Sequence, residues 1–215
     1  MHTLSDPIVH PLFSIPVYTT NITGYDNDVL DFDNLDSADY FLNQYTTEQS
    51  IITKNQNILL DSKFSHLKSI IDSAVEDYVF GLLKFPTHIK LKCVCSWIVL
   101  GYPGSTTKPH IHINSVFSGI FYLKSEENSG DLVFSVPPTY NTYATSTIFP
   151  VPVEFNMYNS TSWSIKPKTN DIIIFPSHLD HSVTENKSGE VRAALAFNYF
   201  VVGDVSYQNS NVLVL

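Results

Sequence analysis

The sequence predicts a mainly β domain of two packed sheets, a sandwich or barrel, with one long helix against its outside. After Pro86 the chain contains eight short runs rich in β-branched and aromatic residues, separated by Gly, Pro, Asn and Ser. Before Pro86 it contains one long segment with helical periodicity. This order differs from the strict alternation of strand and helix in Rossmann and TIM-barrel domains.

The length and composition suit a single domain. All-β domains often exceed 200 residues, and this chain of 215 residues is 43% hydrophobic and 13% aromatic, which is enough for a sizeable core. We expect residues 1–86 to provide an N-terminal strand and helical support. Residues 87–203 should form the β core, and residues 204–215 a short tail.

The N-terminal part is predicted to hold one strand and one helix. The segment LFSIPVYTT (12–20) alternates in the manner of a strand, whereas the polar residues 21–55 favour short helices and loops. Residues 62–85 place apolar side chains on one helical stripe. Asp61 or Ser62 can cap this helix, and Pro86 marks its end.

The predicted strands of the core follow in close succession. They are the runs at 89–102, 116–124, 130–137, 151–159, 162–167, 171–176, 181–186 and 191–202. Short strands at this spacing are typical of closed or sandwiched antiparallel sheets.

Charge and hydrophobicity disfavour two kinds of partner, nucleic acid and the lipid bilayer. The chain has 12 Lys and Arg against 21 Asp and Glu, and no segment gathers basic residues as nucleic-acid binding requires. No apolar run is long enough to cross a bilayer, and the first residues lack the pattern of a signal peptide.

Cys93 and Cys95 are too close along a strand to form a disulfide, and we expect them on one face as free, buried thiols. These features together predict a soluble, cytoplasmic protein.

Two histidine motifs carry the chemistry. His110 and His112 form an H-I-H pair, and His178 and His181 lie in PSHLDHS, both between predicted strands. Side chains at i and i+2 of an extended segment project to one side, so His110 and His112 can bind one ion, and His181 can complete the ligand set. Asn114 and Asp180 are weaker substitutes, because Asp180 and His181 should point to opposite faces.

Three histidines on one face of an ion leave coordination positions open. Such a facial set is typical of iron that binds a chelating substrate and O₂. A structural zinc would need a fourth protein ligand, and we expect neither cysteine near these loops.

Arg192 is the predicted partner for a carboxylate. It follows His181 by eleven residues (192 − 181 = 11), and we expect a hairpin to bring it back beneath the His181 strand. A guanidinium binds a carboxylate through two parallel hydrogen bonds. Tyr122 can offer its hydroxyl to the same group. The alternative is that Arg192 forms a surface ion pair with Glu185 or Glu190.

Other residues are candidates for the pocket wall. Trp97 and Phe121 suit either the pocket or the core, and His178 suits the mouth of the pocket better than the metal.

The motifs HIHINSVFSGIFYLK, SGDLVF, FPSHLDHSV and RAALAFNYF, in that order, resemble the 2-oxoglutarate and Fe(II)-dependent oxygenases. More narrowly, they resemble an uncharacterised subfamily common in cyanophage genomes. The resemblance covers roughly residues 88–202, and it implies a jelly roll, or double-stranded β-helix. It also implies Fe(II) on His110, His112 and His181, and 2-oxoglutarate on Arg192. The implied reaction is a dioxygenase reaction with O₂ on an unknown protein side chain or small molecule, in the host cytoplasm if the gene is a phage gene.

The sequence departs from the family at the second ligand. That position usually carries Asp or Glu, and His112 leaves the Fe(II) site one charge unit more positive. Two other functions therefore stay open. One is a cupin-like three-histidine iron dioxygenase or isomerase that works without 2-oxoglutarate, and the other is a non-catalytic jelly-roll binding or virion structural protein.

Overall fold

The fold consists of two antiparallel sheets and one α-helix. The structure is a computed structural model that describes residues 8–26, 39–42, 49–136 and 152–205. The larger sheet has seven strands in the order β1-β9-β6-β11-β4-β3-β2, and the smaller has four in the order β5-β10-β7-β8. The strands are β1 (Tyr18–Asn21), β2 (Tyr40–Leu42), β3 (Ser50–Thr53), β4 (Lys90–Gly101), β5 (Thr107–His110), β6 (Phe117–Lys124), β7 (Leu132–Ser135), β8 (Ser162–Ile165), β9 (Asp171–Pro176), β10 (Asp180–Val183) and β11 (Arg192–Val202).

The predicted helix is present but changes its geometry along its length. Two 3₁₀ turns (Ile58–Leu60 and Ser62–Phe64) lead into α1 (Ser65–Glu76), and a π-helical turn (Asp77–Leu82) follows. The predicted N-terminal cap is Asp61, whose carboxylate accepts a hydrogen bond from the backbone of Lys63. The helical segment ends four residues before Pro86, in agreement with the expected stop.

The large sheet packs on both faces. On its outer face, α1 buries Leu67, Ile71 and Val75 against alternate residues of β6, β9 and β11, such as Phe121 and Leu195. On its inner face, a second core joins it to the small sheet; the residues are Tyr122, Ile173, Phe175 and Ala194 from the large sheet with Leu132 and Phe134 from the small one. The predicted position of the helix outside the sheets is therefore confirmed.

Some strand predictions are wrong. Residues 152–159 form turns, and a short cluster of side-chain and backbone hydrogen bonds around Asn156 and Asn159 replaces a ladder there. Conversely, β2 and β3 lie within the segment 21–55, where we expected only helices and loops; residues 27–38 and 43–48 of that segment fall outside the described residues. The tail prediction also falls largely outside them, from residue 206 onward.

The predicted hairpin between the strands of His181 and Arg192 is also wrong. β10 pairs with β5 and β7 in the small sheet, whereas β11 pairs with β4 and β6 in the large sheet. The connection crosses from one sheet to the other, and the buried amide of Asn186 holds it by donating to the backbone carbonyls of Gly101 and Glu190. The two residues therefore belong to sheets that face each other.

The cysteines are free, as predicted, but they lie on opposite faces. The β11–β4 register shifts between Asn198 and Tyr199, opposite Cys95 and Cys93. Such an irregularity reverses side-chain alternation. Cys93 consequently packs with the outer core, where burial raises the pKa of its thiol to about 11, and Cys95 faces inward.

In the described part of the chain, none of the helices combines the length and the hydrophobicity needed to span a membrane.

Candidate metal centre

A cavity of about 730 Å³ opens on the inner face of the large sheet. Strands β4, β6 and β11 of the large sheet contribute to its wall, and so do β5 and β10 of the small sheet. All three predicted metal ligands and Arg192 line it together.

The three histidines converge at one place in this cavity. His110 ends β5 and lies directly opposite His181 of β10 in the strand register. His112 lies two residues beyond β5, and its backbone N–H donates to the carbonyl of Ser177 at 2.9 Å. One nitrogen from each ring lies within 4.8 Å of the others. The structure therefore brings the three imidazoles of the predicted ligand set close together.

Hydrogen bonds orient the rings for a metal. Nδ1 of His110 lies 2.8 Å from the carbonyl of Lys108, and Nδ1 of His181 lies 3.0 Å from the carbonyl of Leu179. A carbonyl only accepts, so each Nδ1 carries the proton and each Nε2 keeps its lone pair. This is the usual outer-shell arrangement around a histidine ligand.

A buried polar network holds the third ring. Nδ1 of His112 lies 3.5 Å from the amide nitrogen of Asn198, whose oxygen accepts a 2.6 Å hydrogen bond from Ser118. Ser118 in turn bonds to Ser177, whose carbonyl also holds the His112 backbone. The ring centre of Trp97 lies 5.8 Å from that of His112. His112 is thus fixed by side chains and by one backbone bond rather than by a strand ladder.

The environment keeps two of the rings neutral. Burial, with a smaller contribution from His110, lowers the pKa of His112 to about 4 and that of His181 to about 3. Both rings are therefore neutral at neutral pH, so no imidazolium charge opposes the binding of a cation.

Arg192 is a buried guanidinium without an acidic partner. It is 4% exposed, and its Nη1 donates to the carbonyl of Ser129 at 2.6 Å. Among the described residues no carboxylate forms an ion pair with it, and Glu190, one of the alternative partners, pairs instead with Lys124. Burial lowers its pKa, although a guanidinium stays charged at neutral pH. A buried charge of this kind is costly unless an anion accompanies it.

Two glycines allow the guanidinium to pack closely against the backbone. A Cβ on Gly101 would lie 2.8 Å from Nη2 of Arg192 and 2.7 Å from Oγ of Ser105, and a Cβ on Gly130 would lie 2.6 Å from Nη1. Ser105 is fully buried, and its hydroxyl has no hydrogen-bond partner among the described residues. A carboxylate oxygen beside Arg192 would satisfy both the cation and this hydroxyl, so the donor set fits a carboxylate ligand.

Tyr122 faces the same cavity. Its side chain is 1% exposed, and burial raises the pKa of its hydroxyl, an effect that the nearby Arg192 partly offsets. The hydroxyl therefore stays protonated and can donate a hydrogen bond.

Only some of the other predicted pocket residues line the cavity. Trp97 and Asn114 line the cavity, whereas Phe121 belongs to the outer core. His178 is exposed on the turn after β9 and does not line the cavity, so its predicted place at the mouth is wrong. Asp180 lies outside the ligand group, as expected.

Cys95 corrects another expectation. It lines the cavity and accepts a 3.3 Å hydrogen bond from Asn198, although we expected neither cysteine near the ligands. It is not part of the group of ligand atoms within 4.8 Å.

Comparison with known proteins places this site in context. Residues 95–198 match the family described as "Putative 2OG-Fe(II) oxygenase". No curated protein matches the chain.

Solved structures resemble the chain as well. HygX from Streptomyces hygroscopicus, with nickel, 2-oxoglutarate and hygromycin B bound, is 11% identical with a TM-score of 0.55, covering 86% of this chain and 83% of its own. An oxidoreductase of the 2OG-Fe(II) oxygenase family from Burkholderia pseudomallei is 13% identical with a TM-score of 0.49, covering 71% of this chain and 68% of its own. The likeness to HygX shows a common fold.

Proposed function

We propose that this chain is a member of the 2OG-Fe(II) oxygenase superfamily, in which His110, His112 and His181 hold Fe(II) while Arg192 binds a carboxylate of 2-oxoglutarate. The observation that carries this assignment is the presence, in one cavity, of three converging imidazoles and a buried guanidinium that has no carboxylate partner among the described residues. A metal and a dianion complement these two features. HygX, which shares the fold, was crystallised with nickel and 2-oxoglutarate.

Each side chain has a separate task in this proposal. Bound Fe(II) supplies the activation of O₂ that accompanies the oxidative loss of CO₂ from 2-oxoglutarate. His110 and His181 present Nε2, because their Nδ1 protons are held by backbone carbonyls. Arg192 and Tyr122 line the anion-binding end, the buried hydroxyl of Ser105 is a further donor for it, and the apolar walls of the cavity limit access of water.

His112 distinguishes the site from one that contains a carboxylate ligand. A neutral imidazole leaves one more positive charge on the metal centre. We propose that the network of Asn198 and Ser118 holds the His112 ring in position to bind the metal. We also propose that the enzyme is a hydroxylase although imidazole replaces the usual carboxylate.

The proposal also includes a jelly-roll fold and a location in the cytoplasm. The two facing sheets, linked by the crossing from β10 to β11, support a jelly roll that forms one oxygenase domain with its helical support. The free thiols of Cys93 and Cys95 support a reducing cytoplasm, which would be the host's if the resemblance to cyanophage proteins extends to the gene's origin.

The decisive experiment is an anaerobic titration with Fe(II) followed by 2-oxoglutarate. We expect the visible charge-transfer absorption of the iron chelate in the wild type and its loss in Arg192→Ala. Lys124→Ala is the control, because Lys124 is a cation on the neighbouring strand that pairs with Glu190 at the surface. Metal binding without this band, and no succinate under O₂, would indicate a three-histidine iron enzyme that does not use 2-oxoglutarate.

Metal binding itself has an internal reporter. The chain has two tryptophans, of which Trp163 is exposed and Trp97 lies beside His112. In a Trp163→Phe background, a paramagnetic ion such as Co(II) should quench Trp97 fluorescence at stoichiometric concentration, and His181→Ala should abolish this quenching. Absence of quenching in the parent would favour a non-catalytic protein.

A further inference from the structure

The cavity has room for more than a metal and a cosubstrate. Its volume of about 730 Å³ lies in the range of sites that enclose a whole drug-sized molecule. The part away from Arg192 is therefore available for a group of the primary substrate.

Hydrocarbon dominates the walls of the cavity. The aliphatic lining residues include Ile52, Val99, Ile120, Val183, Ala194 and Ala196. Two further isoleucines flank His112 on the loop after β5, and both are exposed, Ile111 at 47% and Ile113 at 81%. Exposed isoleucines at the rim of an apolar cavity are typical of a binding surface.

Apart from Arg192, the described residues of the cavity wall include no permanently charged side chain. The polar lining residues away from Arg192 include the neutral amides of Gln56 and Asn114. An ionised substrate group would have to leave water without a counter-ion, which costs several kcal/mol.

We infer that the primary substrate presents an uncharged, mainly hydrocarbon group to the metal. An aliphatic or aromatic moiety would contact the isoleucine and valine walls, and a neutral amide or hydroxyl could bind Gln56 or Asn114. This inference rests on the proposed function, because that function assigns Arg192 to 2-oxoglutarate.

The test compares two probes with one aromatic frame. N-phenyl-1-naphthylamine is uncharged, and 8-anilino-1-naphthalenesulfonate adds a sulfonate; both fluoresce in apolar surroundings. The protein carries Trp163→Phe and is saturated with Zn(II) and 2-oxoglutarate, whose binding is measured separately by calorimetry. We expect the uncharged probe to accept excitation energy from Trp97 and to bind at least about tenfold more tightly than the sulfonate, the ratio that corresponds to 1.4 kcal/mol.

Matched variants locate the binding. Ile113→Asp should weaken the uncharged probe by about tenfold, whereas Ile8→Asp, at a residue with the same 81% exposure but outside the cavity, should not. Ala196→Leu should weaken it by filling the wall. Equal or tighter binding of the sulfonate, no binding of the uncharged probe, or equal effects of the two aspartates would overturn the inference. A failure of 2-oxoglutarate to bind in calorimetry would instead count against the proposed function.

Discussion

The two faces of β11 differ in chemistry, although their residues alternate along one strand. On the outer face, Leu195, Phe197 and Tyr199 pack into the core beneath α1. On the inner face, Arg192 and Asn198 are buried beside a cavity. The outer face packs a hydrophobic core, whereas the inner face keeps polar groups that, in the proposed function, contact a ligand and a metal-binding ring. Functional sites commonly lower the stability of their fold in this way.

The largest effect on stability is expected on the outer face. Phe197→Ala should lower the free energy of unfolding by about 3–5 kcal/mol, because it removes a fully buried ring and leaves a cavity. Gly119 is fitted to this ring, since a Cβ there would lie 2.3 Å from it. Urea denaturation measures the change, and Ala196→Gly on the inner face is the comparison. A loss below about 1 kcal/mol would show that the outer core repacks.

On the inner face, Arg192→Met should leave the free energy of unfolding unchanged or raise it. Without ligand, the variant should be as stable as the wild type or more stable, because a buried cation without an acidic partner is replaced by hydrocarbon. Binding of 2-oxoglutarate should fall by about 100-fold, or about 2.7 kcal/mol. Thermal unfolding with and without 2-oxoglutarate measures both effects. Marked destabilisation of the ligand-free variant would mean that the guanidinium is already compensated.

The histidines predict a pH dependence of the metal-free protein. Burial lowers the pKa values of His112 and His181 to about 4 and 3, whereas unfolded histidine titrates near 6.5. The unfolded chain therefore binds more protons as pH falls below about 6.5, so stability is greatest above that pH. It should be lost towards pH 4, by at most about 1.4 kcal/mol per pH unit for each histidine.

Urea titrations at several pH values would measure this loss, and His181→Asn should reduce the slope. Substitution of the exposed His88 should not. An unchanged slope in His181→Asn would show that other groups control the acid sensitivity.

The smallest effect is expected at Ser105. Ser105→Ala removes a buried hydroxyl that has no partner, so it should not destabilise the ligand-free protein. It should weaken the binding of 2-oxoglutarate by about fivefold, which corresponds to the loss of one hydrogen bond of about 1 kcal/mol. Ser50→Ala is a matched control, because Ser50 carries the other buried hydroxyl without a partner. Equal effects of the two substitutions on calorimetric affinity would contradict a direct role.

Much of the site could be predicted because its residues occur in short local patterns. The common side of His110 and His112 follows from strand alternation, and a second short motif contains His181. Arg192 lines the same cavity, although the hairpin that we expected to place it there does not form. Ser105 and Asn198 carry no such signal, since a lone serine in a loop or asparagine on a strand resembles many others. Their roles depend on which backbone they face after folding.

The errors in the fold have a related cause. Local alternation identified β4, β6, β9 and β11, but it does not say which strands pair. The hairpin expected between His181 and Arg192 failed because a short connection can also cross between facing sheets. The two cysteines separated because one register shift between β4 and β11 reverses the faces.

The support of the three imidazoles is unequal, and this bears on how the site can vary. Residues 110 and 181 lie opposite each other in the backbone ladder, so the small sheet fixes the position of both backbones. Residue 112 lies in a loop, where one backbone hydrogen bond to Ser177 and the side-chain amide of Asn198 hold it. In the proposed function, position 112 is therefore the ligand position at which a carboxylate and an imidazole can replace one another without a change in the strand ladder, and this replacement alters the charge of the metal centre.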